Sequence, residues 1–231
     1  MAGLKKTSER GSAWLPISIP KLENLLNKAI QKRRGYQNAY ALRKNIAYNL
    51  QYLEYLSRTL NDIKLTSVLT TQTWKSFILT GCGIIESLIH YLLVKKKLHS
   101  SEVWKLKIIM PGNQKTIDGD ASKIDSHVYV KLARPVATEM KFETMIRKAK
   151  SNKVLGSDKS IYTKLDKLRR LRNKVHLQAI DNPTDTDWNS FQTKDLSDMA
   201  EILSVVFTSN IFGISAAEKK YFDYLHEHIE T

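Results

Sequence analysis

The sequence predicts an all-α or mostly α-helical protein, a helical bundle with one short β-hairpin-like excursion, and three observations carry that reading. Apolar residues recur at three- and four-residue intervals through most of the 231 residues, which is the spacing of one face of a helix. Nine glycines and five prolines are all that interrupt them, so long stretches are free of helix breakers. Hydrophobic residues make up 42% of the chain, enough for a real core and too many for a disordered polymer.

Residues 1–20 hold glycine, serine and two prolines with little periodicity and read as a flexible arm, leaving 21–231 as a single helical domain. From Lys21 to Leu60 the series Leu22, Leu25, Leu26, Ile30, then Leu42, Ile46, Leu50, Leu53 predicts one long helix or two broken near Gly35. Lys32, Arg33, Arg34, Arg43 and Lys44 give it a basic side, either a solvated face or a second nucleic-acid contact. Residues 67–98 predict another long helix on Phe77, Ile78, Ile84, Ile85, Leu88 and Leu92. Its Gly81-Cys82-Gly83 lacks the strand before and the Lys-Ser/Thr after that a phosphate loop needs, so the small residues mark close approach by another helix. Glu86 sits among Ile84, Ile85, Leu88 and Ile89. Its carboxylate is either exposed or semi-buried with a partner, for which an Arg of the later basic segment is the candidate.

Residues 103–134 change character. Val103–Met110 and His127–Leu132 partly alternate and Pro111-Gly112-Asn113 signals a turn, which predicts an inserted β-hairpin. Helical spacing returns over 137–151, over Ser157 to Gln178, and over Lys194 to Ile211, with a polar loop at Asp181–Asp187 and a short acidic helix at the end.

The net charge of +14 and a pI near 9.7 favour a polyanionic partner. Residues 141–180 carry twelve Lys/Arg against three acids, a balance of +9, whereas residues 181–231 carry three Lys against ten acids, a balance of −7. Cys82 is the lone cysteine, so no internal disulfide forms, and its apolar neighbours predict a buried thiol in a reducing, cytoplasmic compartment. No run approaches the ~18–20 uncharged apolar residues of a membrane span, and no membrane partner is expected. His226-Glu227-His228 lacks helical i, i+4 spacing and His90, His99 and His127 stand alone in the sequence, so neither a metal nor another cofactor is expected.

The positive field centres on Leu168-Arg169-Arg170-Leu171-Arg172-Asn173-Lys174-Val175-His176. In a helix, Leu165, Leu168, Leu171 and Val175 form an apolar stripe, and Arg172 and His176 share a face with Arg169 a turn back, while Arg170 lies roughly 120° away. Lys164, Lys167, Arg169, Arg170, Arg172 and Lys174 crowd the other faces, and such mutual repulsion calls for an anionic ligand or for acids such as Asp195 and Asp198. A guanidinium beside an imidazole pairs a phosphate clamp with a proton shuttle.

This segment resembles the signature of the HEPN superfamily, helical proteins of prokaryotic defence, toxin–antitoxin and RNA-processing systems, in which four to six residues separate an Arg, often followed by Asn or another polar residue, from a His. The Asn after Arg172 and the helical wheel favour Arg172 as the catalytic cation, then Arg169, then Arg170, although three residues separate Arg172 from His176 and five separate Arg170 from it. Gln178 stands where one subgroup carries a modifiable Tyr. The resemblance spans about residues 40–212, with Glu86 as an acid on an upstream helix. It implies a metal-independent RNA endonuclease acting in defence or toxicity, in which the 2′-hydroxyl attacks its own phosphate and leaves a 2′,3′-cyclic phosphate. Arg172, His176 and Asn173 would be catalytic, with Asn173 orienting the His or the phosphate, and Arg169, Arg170 and Glu86 would support them. Lys164, Lys167 and Lys174 would hold RNA. The resemblance further implies a homodimer and an antitoxin or defence-complex partner. The alternative is a non-catalytic basic helical module that binds RNA or protein, an inactive relative.

Overall fold

The computed structural model describes residues 16–33, 36–174 and 182–229. Its centre is α3 (Ser67–Lys95), buried along Phe77, Ile78, Cys82, Ile84, Ile85, Leu88, Ile89, Tyr91, Leu92 and Leu93. A helix apolar on nearly all sides has to be surrounded, and α2 (Ala39–Asp62), α4 (Phe142–Ser151), α5 (Lys159–Asn173), α6 (Asp187–Ser190) and α7 (Thr193–Thr208) all pack on it. Length and composition alone would let α3 cross a membrane. In this fold it is the core strut.

The first helical stretch is two helices. α1 (Ile19–Asn27) places Pro20 in its first turn, where a missing N–H loses no intrahelical bond, and buries Leu22, Leu25 and Leu26. It therefore begins inside the segment expected to be a flexible arm. Ile17 is tied to α2, its N–H donating to Glu54 Oε2 at 3.0 Å and its carbonyl accepting from Gln51 Nε2 at 3.1 Å. The connection to α2 is held from α3, because the Tyr91 hydroxyl accepts from the Gln31 N–H at 2.9 Å and donates to the Ala29 carbonyl at 3.2 Å. Arg34 and Gly35, and most of the expected arm, lie outside the described residues.

α3 ends on Lys97, whose φ of 60° is left-handed. The Leu98 N–H returns to the Leu93 carbonyl at 2.8 Å, a bond that closes helix C-termini of this kind. After the insert, α4 and α5 form an antiparallel pair, and α5 starts on Asp158, whose carboxylate accepts from the Ser160 N–H at 2.8 Å. α7 begins with the Gln192 N–H donating to Asp195 Oδ2 at 3.0 Å. The acidic C-terminal stretch forms α8 (Ala216–Lys219) and α9 (Asp223–His226), joined by one 3-10 turn, with α9 against α2 and α7.

The insert is longer than the sequence suggested and has two storeys. β1 (Ser101–Met110) pairs antiparallel with β4 (Ser126–Ala137), and beyond them β2 (Gln114–Ile117) pairs with β3 (Asp120–Lys123). The reversal is not at Pro111-Gly112-Asn113 but at Asp118-Gly119, both with positive φ (52° and 89°), the geometry that a two-residue hairpin turn favours. The base of this arm is fixed to the bundle by Lys148, whose Nζ donates to the Leu98 carbonyl and to Ser100 Oγ, both at 3.0 Å.

The two glycines of α3 differ sharply. A Cβ on Gly81 would lie 2.5 Å from Met199 Sδ of α7, whereas one on Gly83 would meet nothing within 4 Å. Close approach therefore explains Gly81 and not Gly83. In urea denaturation, Gly81→Val should cost about 1–3 kcal/mol by overpacking, while Gly83→Ala should gain up to about 1 kcal/mol from helix propensity.

Candidate functional site

The site is built where three helices meet. Arg172, in the last turn of α5, reaches across to Glu86 in the middle of α3 with Nη1 2.7 Å from Oε2, and its guanidinium lies 5.7 Å from the ring of Phe142, the first residue of α4. Glu86 is the one acidic residue of α3 and lies among Ile84, Ile85, Leu88 and Ile89, so its half-buried carboxylate calls for a cation, and the basic segment supplies one. The resulting pair is partly shielded, with side-chain exposures of 37% for Arg172 and 23% for Glu86. That leaves the guanidinium open enough to meet a ligand.

The three candidate arginines separate by environment. Arg169 is 14% exposed, donates from Nε to Asp166 Oδ1 at 3.0 Å and has Nη1 3.8 Å from Glu143 of α4. Arg170 is 73% exposed and bonds Asp166 Oδ2 at 2.8 Å. Arg169 and Arg172 thus both turn to the N-terminal end of α4, while Arg170 points to solvent. Burial works against the ionised Asp166, but the hydrogen bonds and charges of Arg169 and Arg170 hold its carboxyl below the usual range.

Asn173, the last residue of α5, is exposed. Lys174 follows it, with Nζ 3.1 Å from Asp185 Oδ1. Val175 and His176 lie outside the described residues, as does the rest of 175–181. Arg172 and Glu86 are thus brought together, and Asn173 stands one residue beyond.

Lys164 and Lys167, expected to hold RNA, are engaged within the chain. Lys164 bonds Glu201 and lies 3.4 Å from Asp198, and Lys167 lies 2.7 Å from Asp195. Asp195 and Asp198 are buried, so these lysines answer the desolvation of α7's carboxylates. Burial acts to lower the Lys164 pKa, yet the Glu201 hydrogen bond and the neighbouring carboxylates push it above its ordinary value. The compensating acids read from the sequence are thus in place.

Two histidines that stand apart in the sequence are neighbours here. His90, one helical turn beyond Glu86, has its pKa lowered first by burial and then by the charge of His99, with Glu86 opposing. The ring of Tyr36 lies 6.0 Å from that of His90, and His99 Nδ1 is buried with no hydrogen-bond partner among the described residues. The left-handed Lys97 turns the chain so that His99 comes back towards α3. The i, i+4 spacing of Glu86 and His90 was a readable signal for part of this cluster. Cys82, a turn before Glu86, is fully buried, and burial pushes its thiol up to about 12, with Arg172 and Glu86 pulling in opposite directions. Among the described residues no group of three or more His, Cys, Asp or Glu side chains could hold a metal.

Between α4 and α5 runs a groove of about 340 Å³ lined by the cations Arg147 and Lys150, the acids Glu143 and Asp166, and Ile146, Tyr162 and Thr163. Its two cations are on exposed positions of α4.

Comparison with protein families, with curated proteins and with solved structures finds no match to this chain.

A double-mutant cycle of Glu86→Gln and Arg172→Met, read by urea denaturation, should give a coupling of about 0.5–1 kcal/mol, the size of a partly exposed pair. Acid should weaken the fold from another quarter. Asp158, Asp166 and Asp187 are held below their usual range, and Glu218 is lowered to about 2 by the Lys28 hydrogen bond and by Ser215. Their contribution is fully present above the ordinary carboxylate range and is lost as pH falls through the depressed folded values. The melting temperature should therefore hold at pH 5–7 and drop between about pH 4 and 2.

Proposed function

We propose that this protein is a metal-independent RNA endonuclease of HEPN type, acting in a reducing cytoplasmic compartment. The observation that carries the reading is the ion pair that fixes Arg172 to Glu86 at the head of Arg172-Asn173-Lys174-Val175-His176. An arginine fixed by a carboxylate from another helix is pre-oriented, and its planar fork suits the three equatorial oxygens of a phosphorane better than a lysine would.

The chemistry needs only groups that this chain owns. A base takes the proton from a ribose 2′-hydroxyl, the oxygen attacks the adjacent phosphorus, and the 5′-oxygen of the next nucleotide leaves with a proton. The products are a 2′,3′-cyclic phosphate and a 5′-hydroxyl. His176 is assigned the proton transfer, typically worth ~10²–10⁴ in rate, Arg172 the phosphorane charge, and Asn173 the orientation of either. Arg169 braces the end of α4 beside Arg172, and Arg170, exposed, meets flanking phosphate. Lys174, expected to hold RNA, is paired with Asp185. Because Lys164 and Lys167 answer acids of α7, the main backbone contacts pass to Arg147 and Lys150 in the groove between α4 and α5.

Purified protein incubated with total RNA in EDTA should cleave it and leave cyclic phosphate ends. His176→Ala should abolish cleavage with helicity and melting unchanged, and Arg172→Ala should lose more activity than Arg170→Ala. If His176→Ala unfolds instead, the histidine is structural. The double variant Arg147→Glu/Lys150→Glu should weaken RNA binding by about tenfold or more, and the wild-type affinity should fall steeply with salt. Salt-sensitive binding without any cleavage assigns the chain to the non-catalytic RNA-binding alternative.

A further inference from the structure

We infer that the β-arm at 101–137 is a surface for a second copy of this chain, which covers its two apolar faces. The inference stands apart from the ribonuclease reading and does not depend on it. Every residue of β1 and all but Leu132 of β4 are exposed, although the strands are among the most apolar stretches of the chain. Polar exposure would be ordinary. Exposure of this composition is not.

The register shows that both faces are apolar. Leu106 pairs with Tyr129 and Ile108 with Val128, so Lys107 is an extra residue, a bulge that reverses the alternation along β1. Following the pairs across it, Trp104, Leu106, Ile109 and Tyr129 share one face, and Ile108, Met110, Val128 and Val130 share the other. Among the described residues β1 and β4 pair with each other and with no further strand, so each presents one edge of N–H and C=O groups with no strand partner there. A two-stranded ribbon is marginal in water unless a hydrophobic face is covered. At ten residues, β1 carries this surface about 33 Å.

Size and charge identify the occupant. Twelve large apolar side chains of the insert are exposed, most by about half, which leaves on the order of 1,000 Å² per copy against the ~800 Å² per partner of a standard protein interface. The insert carries six Lys/Arg and four acids, a balance of +2, while the remainder of the chain carries +12. A surface for a polyanion would share the chain's excess charge. A near-neutral apolar arm is instead the part of a strongly basic molecule that its own copy can approach, and a two-fold axis lets each copy give and receive the same contact.

Sedimentation of the full-length wild type at about 10 μM should show a dimer, with Leu106→Lys on one face and Ile108→Lys on the other each weakening it by tenfold or more in Kd. Circular dichroism should show unchanged helicity in both. Ile108→Thr keeps strand propensity and replaces the lysine variant if that one disturbs the hairpin. Ile108→Val should dimerise as the wild type does. A wild type that sediments as a monomer, whether or not it gains mass with RNA or with another protein, overturns the inference. So does a dimer that neither lysine variant weakens.

Discussion

The burial of α3 from Phe77 to Leu93 is the constraint on which the rest of the structure depends. A helical stretch that is apolar on most of its sides must be enclosed, so the other helices take their places as its wall. Enclosure also decides how closely they come. Gly81 lets the Met199 side chain of α7 touch the α3 backbone, and Tyr91, buried entirely, uses its hydroxyl to hold the α1–α2 connection through Ala29 and Gln31. Within such a strut a carboxylate is costly unless it is answered. Glu86 is answered by Arg172, a contact that ties the last turn of α5 to the middle of α3.

That dependence explains which parts of the molecule the sequence revealed. The helices of the bundle were legible because their apolar residues keep helical spacing and because so few glycines and prolines intervene. For Glu86 the sequence left two readings open, an exposed carboxylate or one paired with an Arg of the basic segment, and the structure forms the pair. The choice among Arg169, Arg170 and Arg172 was harder to read. It turns on Asp166, one turn upstream, which engages the first two and leaves Arg172 for α3.

Other features depended on chain geometry that residue spacing does not express. Pro111-Gly112-Asn113 is a turn signal by composition, yet Asp118-Gly119 has the chemistry for paired positive φ and forms the reversal. His99 approaches His90 only because Lys97 takes a left-handed conformation that a non-glycine residue rarely adopts. The start of α1 inside the expected arm follows from tertiary contact, since Ile17 is held by Gln51 and Glu54 of α2. A local reading of a Ser-Pro-rich stretch contains no trace of those two side chains.

Charge balance links the scaffold to the site. The +9 of residues 141–180 is not an open field, because on α5 and just past it Lys164 and Lys167 face Asp195, Asp198 and Glu201, Arg169 and Arg170 share Asp166, Arg172 meets Glu86, and Lys174 meets Asp185. Much of the −7 of the C-terminal segment is the counter-charge of that helix. A carboxylate within 3 Å is a stronger local competitor than a solvated phosphate, so a polyanion cannot simply lie along α5. Apart from Lys167 and Arg170, which are exposed but ion-paired, the outward-facing cations of this segment are Lys141, Arg147, Lys150 and Lys153 around α4 and Lys159 at the start of α5, and α4 begins at Phe142, under the guanidinium of Arg172. Neutralising α5 internally thus moves the positive surface onto the neighbouring helix and leaves Arg172, partly exposed and held from one side, at the end of it.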